Sequence, residues 1–304
     1  MSKKLYFICG PTAVGKSSLA IRLAKKINGT IVNSDSMQVY SNLKVLTARP
    51  SENDHYIIDH KLYGYISGSE RYNVSKWCND VVKILDKKDN NKNPLIIVGG
   101  TGMYISSLLN GLIDLPFISE NFKNESEKII NEKGVQNFIN IIKEFDSDSL
   151  KRISYNDILR LKRIWEVYKS TGIPLSEWKR KKNKNFLNNT SYSIFLFLPS
   201  RENIYERVNN RFEEMLKHGA IEEVERLLKL KLDHSLPIMR AHGVPEIEKY
   251  LNKKFSLEEC IKEGQKVTRN YVKRQLTWWR SSNLPIHQVF TKFPDEINEN
   301  MIKI

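Results

Sequence analysis

The chain has 304 residues, 40% hydrophobic and 28% charged, enough to bury a core without a metal or disulfide staple, and its three cysteines, Cys9, Cys78 and Cys260, form no CxxC pair and are expected to be free thiols. It contains no apolar run of the ~20 residues that cross a membrane, and the start MSKKLYFICG enters a strand pattern rather than the apolar core of a signal peptide, so a cytoplasmic location and no membrane partner are expected. Lys plus Arg number 49 against 35 Asp plus Glu, a formal charge of +14 that suits a polyanionic partner, although a merely Lys-rich composition accounts for the total equally well and the placement of the charges has to decide.

Leu5 to Cys9 is a short apolar run ending at a glycine, and Ser17 to Ile27 then carries apolar residues at helical spacing (Leu19, Ala20, Leu23, Ala24, Ile27), which reads as strand, loop, helix. Thr30 to Asn33 and, after the polar loop Lys87 to Asn93, Pro94 to Val98 are further buried-strand candidates. Strands alternating with helices predict a parallel sheet with helices on both faces. From about Phe117 to Asn189 helical patterns such as Ile158 to Tyr168 take over, followed by the basic run Lys179 to Lys184. Tyr192 to Leu198 resumes a buried strand, and Arg201 to about Arg280 is helical. The expected organisation is an α/β core of residues 1–116 and 190–304, with a helical subdomain inserted at 117–189.

Gly10-Pro11-Thr12-Ala13-Val14-Gly15-Lys16-Ser17 fits G-x-x-x-x-G-K-[ST] and lies between a strand and an amphipathic helix, as the mechanism of a phosphate cradle requires. The glycines let backbone N–H groups wrap a diphosphate, the helix N-terminus adds partial positive charge, Lys16 adds a full one, and the Ser17 hydroxyl can ligate Mg²⁺. A bare glycine turn before a helix is the bland alternative. Such a cradle says what is held, not what is done.

In a doubly wound sheet the ligand crevice lies outside the carboxyl ends of the strands. Two more segments qualify there: Asp35-Ser36-Met37-Gln38 and Gly99-Gly100-Thr101-Gly102. Taken alone, an Asp before a Ser is more often an Asx-turn or helix cap than a base, and Thr101 reads equally as the cap of a helix starting near Met103. A position beside the cradle favours the functional reading of both.

GPTAVGKS, NSDSMQVY with TARP downstream, VGGTGMY, RLKR, RFEEML and TRNYVKRQLTWWR occur in this order, and over nearly its whole length the chain resembles the bacterial-type tRNA dimethylallyltransferases. The resemblance implies a P-loop NTPase-like sheet flanked by helices, with an inserted helical tRNA-binding subdomain and a helical C-terminal part. It implies transfer of a dimethylallyl group from dimethylallyl diphosphate to the exocyclic amine of the adenosine 3′ of the anticodon in tRNA, with Mg²⁺ assisting. Gly10 to Ser17 would hold the diphosphate rather than ATP, Asp35 would be the general base, Thr101 would contact the reacting atoms, and Arg211 would close over the diphosphate. The implied tRNA contacts are Asp35, Ser36, Met37, Gln38, Thr101, Lys123, Leu159, Arg160, Leu161, Lys162, Arg163, Arg240, Lys273, Arg274, Gln275, Thr277, Trp278 and Arg280. The chain departs from the family pattern at Leu46, where Gly is usual, at Arg49, where Lys is usual, and in Arg240-Ala-His-Gly-Val-Pro245.

Under that reading the basic residues fall into clusters able to guide an anticodon stem-loop: Arg160, Lys162 and Arg163; Lys179 to Lys184; and Lys266, Arg269, Lys273, Arg274 and Arg280 beside Trp278 and Trp279. A solvated face is the competing reading of the Lys179 to Lys184 run, and core packing that of the tryptophans. No obligate protein partner is expected, and a monomer is the default. The strongest rival is a kinase that uses the cradle on ATP, which leaves the aromatic and basic stretch Thr268 to Arg280 unexplained. A non-catalytic RNA-binding protein retaining the loop as scaffold is the other.

Overall fold

The computed structural model describes residues 4–86, 93–116, 118–151, 153–181, 183–187 and 190–303; most of the polar loop 87–93, Phe117, Lys182 of the basic run and Asn189 lie outside them. The chain divides into two compact units, Met1–Leu109 with Phe186–Ile304, and Asn110–Asn185.

The first unit is built on a six-stranded parallel sheet of order β3-β2-β4-β1-β5-β6. In chain order its elements begin with β1 (Leu5–Cys9), α1 (Lys16–Ile27), β2 (Thr30–Asn33), α2 (Glu52–Ile57), β3 (His60–Lys61), α3 (Val74–Leu85), β4 (Leu95–Gly99) and α4 (Gly102–Asn110). The second unit holds α5 (Glu120–Leu150), α6 (Ile158–Thr171) and α7 (Leu175–Trp178). The first unit then resumes with β5 (Tyr192–Phe197), α8 (Arg201–Met215), α9 (Ile221–Lys229), α10 (Val244–Leu251), α11 (Leu257–Ser281) and β6 (Gln288–Phe290).

β1 is central, pairing β4 and β5 in register from Leu5↔Leu95 and Leu5↔Tyr192. Every residue of β1, β2 and β4 is buried, because a parallel sheet is covered on both faces and its inner strands become continuous apolar runs. α1 buries Leu19, Ala20, Leu23 and Ala24, the stripe expected of a helix with one core face. β3 and β6, which the sequence pattern did not predict, extend the sheet at its two edges.

The second unit has its own core, in which Phe138 and Ile142 of α5 pack with Leu161, Ile164 and Trp165 of α6 and Leu175 of α7. α5 is not continuous: it is interrupted at Gly134, whose φ of 77° and ψ of 162° no helix tolerates, and again at Asp146 (φ −146°, ψ 60°). All three cysteines are buried and free. Among the described residues no helix is long and apolar enough to cross a membrane.

Candidate functional site

The cradle begins where β1 ends. Gly10 has a φ of 149°, and a Cβ there would lie 2.5 Å from the Phe197 carbonyl oxygen of β5, so only glycine lets the loop leave the sheet at this point. Gly15 (φ 91°) follows Ala13 (φ 63°) into α1, which has no side-chain cap. Its first N–H groups therefore stay open to an anion, with the helix dipole behind them. Lys16 folds back so that Nζ donates to the Pro11 carbonyl at 2.6 Å. Burial pulls its pKa from 10.5 down to about 8; Asp35 opposes this and Arg211 adds to it. Ser17 is exposed at the start of α1.

β2 delivers Asp35 beside this loop. The Asn33 side chain organises the turn, accepting the Asp35 amide at 2.8 Å and donating to the carbonyls of Asp35 and Leu62 at 2.9 and 3.0 Å. Oδ1 of Asp35 accepts the amides of Met37 and Gln38 at 2.8 and 3.3 Å. The Asx-turn reading and the pocket reading thus hold together, because Oδ1 organises the turn while Asp35 also lines the cavity. The field of this carboxylate reaches across the site: it counters the burial that lowers Lys16, Arg211 and His242, and adds to the burial that raises the phenols of Tyr63 and Tyr271. Thr101 Oγ1 accepts the Ser36 amide at 3.3 Å, so its hydroxyl ties the two strand-end loops rather than capping α4.

Thr12 and Ala13 of the loop and Asp35 meet Arg211 in a cavity of about 200 Å³, whose polar lining also includes His242 and Tyr271 and whose apolar lining includes Leu46, Phe212 and Met215; Lys16, Ser17 and Thr101 stand outside that lining. Val208, Arg211, Phe212 and Met215 all line it from α8 at the i, i+3, i+4, i+7 spacing of one helical face. That stripe is legible in RFEEML and its upstream turn, yet only Arg211 was singled out from sequence. Burial holds the Arg211 guanidinium below its usual pKa, with Asp35 opposing.

Leu46 reaches the cavity on a loop held by Glu223 of α9. This carboxylate is 4% exposed and accepts the amides of Lys44, Val45 and Leu46 at 2.5, 2.9 and 3.0 Å. Glu223 was not predicted, since one of three glutamates on an amphipathic helix gives no sign that it alone faces inward. Gln38 supports the same loop, donating Nε2 to the carbonyls of Thr47 and Ala48 at 2.8 and 3.2 Å, whereas Ser36 and Met37 line the cavity. The departures at Leu46 and Arg49 have structural partners. Leu46 packs on Gly243, where a Cβ would come within 2.7 Å of it, and Arg49 donates to the carbonyls of Leu43 and Ser41 at 2.9 and 3.0 Å. In the variant segment His242 lies with its ring 4.6 Å from that of Tyr271, Val244 is buried, and Arg240 is exposed at the cavity.

The expected RNA contacts separate by exposure. On α11, Lys273, Arg274, Thr277 and Arg280 are exposed, with the Arg274 guanidinium 5.6 Å from the Tyr271 ring centroid. Gln275 is not among them: it is 6% exposed, and its amide bonds inward. Trp278 is half-buried over Gly102, where a Cβ would stand 2.0 Å from the indole, and Trp279 is core at 2% exposure.

In the second unit, Leu159, Arg160 and Arg163 are exposed on α6, but Leu161 is wholly buried in that unit's core, so its side chain has no surface to offer RNA. Lys162 pairs with Glu127 at 3.3 Å, Lys123 with Glu120 at 2.5 Å and Arg160 with Asp157 at 3.2 Å. In the basic run, Arg180 pairs with Asp148 at 3.0 Å and Lys181 lies 3.6 Å from the Trp178 ring centroid.

A family model described as IPP transferase matches residues 38–282. The tRNA dimethylallyltransferase of Ehrlichia ruminantium (strain Welgevonden) is 39% identical over 276 residues, covering 90% of this chain and 90% of the relative. That of Bartonella quintana (strain Toulouse) is 39% identical over 279 residues, covering 92% and 94%. Among solved structures, the full-length tRNA isopentenylpyrophosphate transferase of Bacillus halodurans superposes with a TM-score of 0.69 at 26% identity, over 99% of this chain and 93% of that one. A eukaryotic dimethylallyltransferase acting on tRNA gives 0.81 at 27% identity, over 96% and 74%. A parallel sheet with a glycine-rich loop after its central strand, matched along almost its full length by these enzymes, identifies the chain as a prenyltransferase of the tRNA dimethylallyltransferase (IPP transferase) family.

Proposed function

We propose that this cavity transfers the dimethylallyl group of dimethylallyl diphosphate to the exocyclic amine of the adenosine 3′ of the anticodon in tRNA. The observation that carries the reading is that a single cavity joins the P-loop, Arg211 and the carboxylate of Asp35. The apolar lining from Leu46, Phe212 and Met215 suits a five-carbon allylic tail. The names of the relatives, and the eukaryotic structure acting on tRNA, support tRNA as the acceptor.

As the allylic carbon–oxygen bond breaks, negative charge gathers on the diphosphate. Lys16, Arg211 and the open N–H groups of α1 stabilise that charge more in the transition state than in the ground state. The donor set fits Mg²⁺ held mainly by diphosphate and water oxygens: Ser17 offers one exposed hydroxyl, and the described residues contain no cluster of three His, Cys, Asp or Glu able to cage a metal. When bound, Mg²⁺ would add positive charge beside the leaving oxygens.

Adenine's exocyclic amine is a weak nucleophile, and a carboxylate cannot deprotonate it in advance. Its proton becomes acidic as the carbon–nitrogen bond forms, and Asp35 accepts it then, a contribution of about 10²–10⁴ in rate. The base reaches the cavity by leaving the anticodon-loop stack, at a cost of a few kcal/mol. Arg240, Lys273, Arg274 and Arg280 supply exposed positive charge on the first unit for the RNA backbone.

Incubation with labelled dimethylallyl diphosphate and total tRNA, followed by digestion to nucleosides, tests the reading; label is expected on that one adenosine. Label at another nucleotide would overturn the acceptor assignment. Greater thermal stabilisation by ATP than by dimethylallyl diphosphate with Mg²⁺ would return the cradle to the kinase class.

A further inference from the structure

Gln275 lies on α11 one helical turn beyond Tyr271, facing inward while Lys273, Arg274 and Thr277 face solvent. Its Oε1 accepts the Thr12 amide at 2.9 Å and its Nε2 donates to the Gly100 carbonyl at 2.9 Å. The two partners fix the orientation of the amide, since a backbone N–H only donates and a carbonyl only accepts. Gly100 has no side chain for a reason: a Cβ there would stand 2.4 Å from Gln275 Nε2 and 3.0 Å from the Gly10 carbonyl oxygen. The next residue, Thr101, accepts the amide of Ser36, which adjoins Asp35. One side chain therefore begins a chain of bonds from the diphosphate loop to the turn bearing the base.

We propose that Gln275 is a positioning residue for prenyl transfer, whose carboxamide locks the P-loop to the Gly100–Thr101 turn and so holds the leaving group and the acceptor base at reacting distance. This rests on the function proposed above. A primary amide presents an acceptor and a donor together in one plane without needing to be protonated. Leucine offers neither. An ionised glutamate keeps the acceptor but turns an oxygen toward the Gly100 carbonyl, whereas a protonated one restores both bonds.

The test compares Gln275→Leu and Gln275→Glu in single-turnover transfer at saturating substrates, in tRNA binding, and in amide hydrogen exchange of segments 10–17 and 99–102. Gln275→Leu is expected to slow transfer about 10–100-fold, the cost of a small misplacement of reacting groups, with tRNA affinity changed by less than about twofold. Exchange in both segments should quicken about tenfold, the equivalent of about 1.4 kcal/mol of lost local stability. Gln275→Glu should transfer near the wild-type rate at low pH and lose activity as the acid ionises, through an ionisation absent from the wild-type profile.

Three results would each overturn the proposal: wild-type transfer by Gln275→Leu, a parallel loss of rate and tRNA affinity that makes Gln275 an RNA contact, or a Gln275→Glu profile matching wild type. If Gln275→Leu does not fold, the Gln275→Glu profile and exchange decide. Wild-type protein that transfers no prenyl group would sink the proposed function instead, and exchange in the two segments would still show whether Gln275 holds them together.

Discussion

Binding of diphosphate should draw a proton onto the protein at alkaline pH. Burial lowers Lys16 from 10.5 to about 8, so the free enzyme carries a mostly neutral amine above that pH. A seated diphosphate surrounds the same amine with negative charge and returns its pKa to the ordinary range or above. At pH 9 the free lysine would be about 10% charged and the bound one about 97%, an uptake of roughly 0.9 proton; at pH 7 the uptake falls to roughly 0.1. Affinity should accordingly weaken about tenfold per pH unit between about 8 and 10.5 and be insensitive to Lys16 below 8. The sign for stability follows the same logic. A lysine with a depressed folded-state pKa opposes folding where it is charged, below about pH 8, and the penalty fades as pH rises toward 10.5. Calorimetric titration of dimethylallyl diphosphate in buffers of different ionisation enthalpy, at pH 7 and pH 9, measures the uptake directly. An affinity flat across pH 7.5 to 9.5 with no proton uptake at pH 9 would refute the reasoning, because it requires either a solvated Lys16 or a diphosphate bound elsewhere.

Asp35→Asn keeps an Oδ1 acceptor for the amides of Met37 and Gln38 but removes the proposed base, so single-turnover transfer should fall at least about 100-fold with tRNA affinity retained; unchanged transfer would remove Asp35 from the chemistry. Arg274→Ala should weaken tRNA binding and reduce the slope of log affinity against log salt by about one charge, without altering diphosphate affinity; an identical salt series would place Arg274 outside the interface. Glu223→Ala leaves the amides of Lys44, Val45 and Leu46 without their acceptor, an expected loss of about 2–4 kcal/mol after partial relaxation of the loop into water. Urea denaturation reads this, and a loss under about 0.5 kcal/mol would mean the carboxylate does not hold the loop.

Much of the chemistry is written locally. The glycines, Lys16 and Ser17 of the cradle sit within a short contiguous segment, and β1, β2, β4 and β5 are legible because a strand covered on both faces becomes a predominantly apolar run. β3 and β6 are two and three residues long and exist only as edge pairings, too short to carry a period of their own. Gln38 and Gln275 stand in segments that resemble RNA-contacting stretches, yet one side chain braces a loop and the other turns inward; Leu161 likewise falls on the core face of α6. Helical phase relative to the rest of the fold decided Gln275 and Leu161, and the turn after β2 decided Gln38; both are set by packing against residues distant in the chain. The same holds for Glu223 and Asp35. Local order determined that a carboxylate follows β2 and that another lies on α9, but only the folded chain brings one into a shared cavity with Arg211 and within the field of Lys16 while the other lies beneath three amides nearly two hundred residues away, because those partners become neighbours only when the sheet and its helices pack.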